Sequence, residues 1–198
     1  MNLPNKITVG RIIIAIVILV ILVFPFHDIG FSWPKYLIGG TIPVNLKYIV
    51  CGLLFIIASI SDYFDGSIAR KQNLVTDFGK VMDAIADKIL VNGVLIVLAY
   101  DGFIPIIIPV IIVTRDIIVD TIKMLAGSKG KAVGASIWGK VKTVFMMIGV
   151  IAVFFYNLPF SLFNIQIGNY MIFVATILAI FSGIQYYSAN KKALFDDK

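Results

Sequence analysis

Asp62-Tyr63-Phe64-Asp65-Gly66-Ser67-Ile68-Ala69-Arg70, followed after eight residues by Gly79-Lys80-Val81-Met82-Asp83-Ala84-Ile85-Ala86-Asp87, is the stretch on which this chain turns. It carries two aspartate pairs, Asp62 with Asp65 and Asp83 with Asp87, at the ends of two apolar runs. A carboxylate beside a bilayer must be solvated, paired or bound to a cation. Helical residues three and four apart share a face. Asp62, Asp65, Gly66 and Ala69 therefore form one stripe, and Gly79, Asp83 and Asp87 a second. If two neighbouring helices turn these stripes toward each other, four carboxylates converge and repel unless a cation neutralises them. Hard oxygen ligands favour Mg2+, Mn2+ or Ca2+ over zinc. Four of them suffice to bridge two ions about 4 Å apart, the arrangement used for displacement at phosphorus.

The small residues on the stripes have two readings. They permit close helix packing in a membrane, or they leave room beside the carboxylates for a bulky ligand such as a nucleotide. Their register with the aspartates favours the second. Arg70 closes the first stripe and either pairs with a phosphate or marks a cytoplasmic helix end.

Around this stretch the chain is a membrane protein by composition. It has 198 residues, 60% hydrophobic and 14% charged, where a soluble domain carries about 25% charge. One domain over residues 1–198 is expected. All 11 acidic residues are aspartates, as if chosen for geometry. The lone Cys51 excludes an internal disulfide and a thiolate metal site, and reads as a buried small hydrophobe. His27, the one histidine, follows the first apolar run and reads as a loop or interface residue. The N-terminal segment, Lys6 and Arg11 before an apolar run, has the outline of a signal peptide. The run ends in Phe24-Pro25-Phe26 without a small-x-small cleavage pattern, so a retained first helix is expected.

A span needs about 20 mostly apolar residues, and six are expected. They are 7–26, a second from Leu46 whose helix continues through Asp62–Arg70, 77–100, 103–125, and two within the charge-free stretch 143–190, divided by Asn157-Leu158-Pro159. Six spans put both termini on one side. With the N-terminus inside, 15 lysines and arginines fall on inner ends and loops, and only Lys35 and Lys47 outside. The positive-inside rule then makes both termini, and all four motif aspartates, cytoplasmic. The net charge of +6 follows from that bias and from anionic headgroups, and no nucleic-acid partner is needed. The connection 126–140 is rich in glycine and lysine but lacks the spacing of a phosphate-cradling loop.

The run D-x-x-D-G-x-x-A-R-x8-G-x-x-x-D-x-x-x-D resembles the signature of the CDP-alcohol phosphotransferases, with every fixed position present. The resemblance implies a homodimeric enzyme of the cell membrane that moves the phosphatidyl group of a CDP-linked lipid onto an alcohol and releases CMP, using two divalent cations, Mg2+ or Mn2+. By the same resemblance Asp62, Asp65, Asp83 and Asp87 would hold metal, and Asp87 would also take the proton of the acceptor hydroxyl. Gly66, Arg70, Thr76 and Gly79 would hold the cytidine diphosphate part, with Asn5 and Thr8 closing the site from the N-terminal element.

Arg115-Asp116, Gly139-Lys140-Val141-Lys142-Thr143 and the opening Asn2-Leu3-Pro4-Asn5-Lys6-Ile7-Thr8 are similar to the bacterial subgroup whose lipid substrate is CDP-diacylglycerol and whose acceptor is glycerol 3-phosphate. Arg115, Lys140 and Lys142 are then the candidates for the acceptor phosphate. Arg115 within a span demands a counter-charge, which Asp116 or Asp120 can also supply. Asp116 departs from the glutamate more usual in that subgroup. Other acceptors, namely inositol phosphate, serine or phosphatidylglycerol, remain open at this point. A divalent-cation carrier would also need membrane carboxylates, but it would need polar residues through the whole bilayer depth, and the outer halves of these spans are apolar. A scaffold without chemistry would make all four aspartates replaceable.

Overall fold

The computed structural model describes residues 3–71, 76–128 and 137–195, and only the backbone course at 3–4, 63–71, 77–78, 80, 128 and 192–195. Six α-helices carry the fold: α1 (Leu3–Val23), α2 (Leu46–Lys71), α3 (Asp77–Tyr100), α4 (Ile107–Ser128), α5 (Ile137–Phe154) and α6 (Ile167–Phe195). Among the described residues three stretches are long and apolar enough to cross a membrane by themselves: Asn5–Val23, Ile137–Phe154 and Ile167–Lys191. The expected all-α class holds with one addition. A small antiparallel hairpin, β1 (Lys35–Ile38) and β2 (Ile42–Asn45), joins α1 to α2. Its turn passes through Gly39 and Gly40 at φ +61° and +71°, a conformation open to glycine.

Helix α1 is the wedge of the bundle. Its buried residues Asn5, Thr8, Arg11, Ala15, Ile18 and Leu22 recur at intervals of three and four, the period of one helical face. That face packs along both α2 and α3. Tyr48, Cys51, Phe55 and Ala58 on α2 continue at the same spacing into Asp62. On α3 the apolar series Leu90, Val94 and Leu98 lies behind Asp83 and Asp87.

Among the described residues α2 and α3 touch each other far less than each touches α1. Two motif aspartates on different helices, Asp62 of α2 and Asp83 of α3, are joined through α1. Both bond to Arg11, which lies on the buried face of α1. The second half of the bundle is α5 packed closely on α6, with α4 against α6. Gly149 and Gly168 set that closeness: a Cβ on Gly149 would meet Ile172 Cγ1 at 2.7 Å and the Gly168 carbonyl at 3.0 Å.

The two ends of the bundle differ in chemistry. At one end Tyr48 donates to Asp101 (2.7 Å), Asn169 donates to the Phe103 carbonyl (2.7 Å), and the Asn45 amide donates to Tyr156 Oη (2.9 Å). The motif aspartates lie at the other end, with the α1 N-terminus and the openings of α3 and α5. Helix α2 has 26 residues, about 39 Å at 1.5 Å per residue, longer than the ~30 Å hydrocarbon core. Its polar last turns have length to extend past the lipid.

Candidate active site

One nitrogen organises the first half of the site. Arg11 Nη1 donates to Asp62 Oδ1 at 2.5 Å and to Asp83 Oδ1 at 2.9 Å. Arg11 is 1% exposed, while Asp62 and Asp83 are 37% and 53% exposed. The cation is enclosed by the helices, and its two anions reach past it into open space. An arginine stays protonated at any accessible pH, so its burial in an apolar bundle requires such partners. Sequence reasoning counted Arg11 only as a basic residue before the first apolar run and toward the positive-inside bias. The available signal was its register with Asn5 and Thr8 on the α1 face that continues as Ala15, Ile18 and Leu22.

The N-terminus of α3 is closed by a second cluster. Thr76 caps the helix, accepting from the Gly79 amide at 3.0 Å. Asn5 Nδ2 donates to Thr76 Oγ1 at 3.2 Å. A Cβ on Gly79 would stand 2.7 Å from Asn5 Oδ1 and 3.1 Å from Thr76 Oγ1. The missing side chain of Gly79 is what allows α1 to approach α3 here. Asn5, Thr8, Thr76 and Gly79 are therefore neighbours or near neighbours on the α1–α3 side, with Asn5 and Thr8 buried. Asp65, Gly66 and Arg70 lie on the last turns of α2, outside the described side chains.

Across the site α4, α5 and α6 build a cationic wall. Arg115 Nη1 donates to Asp116 Oδ1 (2.9 Å), Nη2 to Ser182 Oγ (2.7 Å) and Nε to the Ala179 carbonyl (3.2 Å). Lys142 Nζ donates to the same Asp116 oxygen at 3.2 Å and is buried. Of the two counter-charges considered for Arg115, Asp116 is the one used. Asp120 instead pairs with Lys88, and with Lys123 at 3.7 Å. Lys140 is exposed.

These walls enclose one polar cavity of about 360 Å³, whose lining includes Asp62, Asp83, Asp87, Lys88, Arg115, Asp116, Asp120, Lys123, Gly139, Lys140, Lys142, Thr143 and Tyr186. Five carboxylates and five cations thus share one chamber. Three of the four motif aspartates and all three candidate acceptor-phosphate residues line it. Among the described residues no three acidic, histidine or cysteine side chains form a closed ion cage. The donor chemistry still suits a hard divalent cation: Asp62 and Asp83 are close enough to share one positive nitrogen, and Asp87 opens into the same chamber. Below the chamber the core is apolar, with Ile18, Phe55, Val94, Leu98 and Val150 fully buried.

On the α4–α6 flank an apolar groove of about 700 Å³ is lined by Val110, Ile111, Thr114, Arg115, Ile118, Val119, Ile180, Gly183, Ile184 and Tyr187. Arg115 belongs to both cavities. Polar and apolar space thus share one side chain.

A multi-pass bundle with this aspartate run belongs to a known class, and the chain is a member of the CDP-alcohol phosphatidyltransferase family, whose profile matches residues 1–181. It is similar to curated proteins named CDP-diacylglycerol–glycerol-3-phosphate 3-phosphatidyltransferase. The Bacillus subtilis (strain 168) protein is 38% identical over 194 residues, 98% of this chain and 97% of that protein. The Mycoplasma pneumoniae protein is 36% identical over 98% of this chain and 83% of its own length. The Rickettsia bellii (strain RML369-C) protein is 32% identical over 96% of each.

Proposed function

We propose that the protein transfers the phosphatidyl group of CDP-diacylglycerol to glycerol 3-phosphate, giving phosphatidylglycerophosphate and CMP in phospholipid synthesis. The observation that carries this is the single chamber in which Asp62, Asp83 and Asp87 face Arg115, Lys140 and Lys142. The acidic side suits a cation-bound pyrophosphate, and the basic side suits an acceptor that is itself phosphorylated. The relatives above carry that acceptor in their names.

Asp62, Asp65, Asp83 and Asp87 would hold two divalent cations, Mg2+ or Mn2+. When bound, such ions supply charge neutralisation on the pyrophosphate and on the leaving phosphate. Lys142 and Lys140 bind the acceptor phosphate, and Arg115 sets the wall on which it rests. Asp87 accepts the proton of the acceptor hydroxyl as its oxygen bonds to the lipid-side phosphorus. The bond from that phosphorus to the bridging oxygen breaks, and the electron pair leaves with CMP. Gly66, Arg70, Thr76 and Gly79, with Asn5 and Thr8, hold the nucleotide. The apolar groove takes an acyl chain of the lipid, a reading supported by its apolar lining and by Arg115, which lines both the groove and the chamber.

In the same reading the chain crosses the cytoplasmic membrane six times, with both termini and the chamber on the cytoplasmic side, and works as a homodimer. The test is an assay on the detergent-purified protein with CDP-diacylglycerol, Mg2+ or Mn2+, and a mixture of acceptors. Glycerol 3-phosphate should be consumed in preference, with stoichiometric CMP. Preference for another acceptor would move the assignment within the family. No CMP release with any acceptor would remove it.

A further inference from the structure

We infer that Arg11 is a positioning residue for the divalent cation: from α1 it holds Asp62 of α2 and Asp83 of α3 converged on one point. This rests on the reading of those aspartates as metal ligands. Three observations carry it. One guanidinium nitrogen serves both carboxylates, at 2.5 and 2.9 Å. Both carboxylates line the chamber, and Arg11 is not among the residues lining it. The helices that bear them have little mutual contact among the described residues and are joined through α1.

Arg11 thus stands behind the carboxylates, on the side away from the ligand. Partners behind a metal's ligands orient them, and their loss weakens metal binding about 10–100-fold. Charge alone argues the other way. Removing a positive charge beside two carboxylates raises their attraction for Mg2+ or Mn2+. Geometry and charge therefore give opposite signs, and a binding measurement separates them.

The experiment measures Mn2+ binding to the full-length protein in detergent, by the electron paramagnetic resonance signal of the free ion, for wild type, Arg11→Gln and Arg11→Lys. Positioning predicts half-saturation at about tenfold higher Mn2+ in Arg11→Gln. Arg11→Lys keeps the charge but not the planar fork, and its half-saturation should fall between the two. If the glutamine variant does not fold, the lysine variant decides. Unchanged affinity would make Arg11 a packing residue, and tighter binding would make it a competitor of the metal; either overturns the proposal. A wild type that binds no Mn2+ would remove the metal reading itself, a different failure from a wild type and variants that bind alike.

Discussion

Arg115 and Lys142, on different helices, donate to the same oxygen of Asp116, at 2.9 and 3.2 Å. One carboxylate therefore holds two cations at the wall of the chamber. Arg115 is additionally tied to Ser182 and the Ala179 carbonyl of α6, whereas Lys142 is held by Asp116. In the proposed reaction, Lys142 is then the cation better able to turn toward the acceptor phosphate. Lys142→Met should raise KM for glycerol 3-phosphate by about 10–100-fold, as expected for losing a charge-assisted phosphate contact of roughly 1.5–3 kcal/mol, and leave KM for CDP-diacylglycerol nearly unchanged. Two-substrate kinetics check this.

Asp116→Asn should cost stability as well as activity, because it leaves two partly enclosed cations without their shared anion. Breaking a buried pair costs about 3–5 kcal/mol, and these side chains are 11–18% exposed, so the lower end is expected. Thermal unfolding in detergent, with Lys142→Met for comparison, measures the difference.

Asp87→Asn should abolish turnover, by at least about 10³-fold, while thermal unfolding stays close to wild type. General-base contributions run to about 10²–10⁴-fold, and Asp87 lies at the chamber and outside the apolar core. CMP release under saturating substrates is the measurement, and retained turnover would take the base role from Asp87.

Gly79→Ala should disturb the nucleotide side. The new methyl would stand 2.7 Å from Asn5 Oδ1, so Asn5 must swing away and its bond to Thr76 is lost. KM for CDP-diacylglycerol should rise about tenfold, the equivalent of one hydrogen bond of roughly 1 kcal/mol or slightly more. The acceptor KM should hold, and the two together separate this effect from general misfolding.

Gly183→Val tests the apolar groove. Even a Cβ there stands 3.2 Å from Arg115 Cγ, and the branched side chain would fill groove volume beside it. The expected outcome is weaker use of long-chain CDP-diacylglycerol with a smaller effect on short-chain analogues. Equal loss with both would place the acyl chains elsewhere.

Much of this was legible in the sequence because membrane helices write their pattern plainly. The charge-free stretch 143–190 and the Asn157-Leu158-Pro159 break anticipated α5 and α6, and the spacing of Asp83 and Asp87 put them on one face of α3. Arg115, Lys140 and Lys142 were singled out for their charge, and they line one cavity with the aspartates. What sequence concealed was who stands between whom. Spacing along α2 and α3 says nothing about a third helix wedged against both, so Arg11 passed as one more inner lysine or arginine. The hairpin was also hidden: four-residue strands holding Pro43 are too short for an alternating pattern to show. The anchoring of Arg115 on α6 depends on Ser182 and a backbone carbonyl 67 and 64 residues away, a distance no local pattern spans.

Arg11 also constrains how the chain can be built. In chain order its two counter-charges follow 51 and 72 residues later. Neither partner exists while α1 alone has been made, and a guanidinium buried among apolar side chains needs such partners. The enclosure of Arg11 is therefore complete only once α2 and the opening of α3 have been made, which ties the three helices into one unit of assembly.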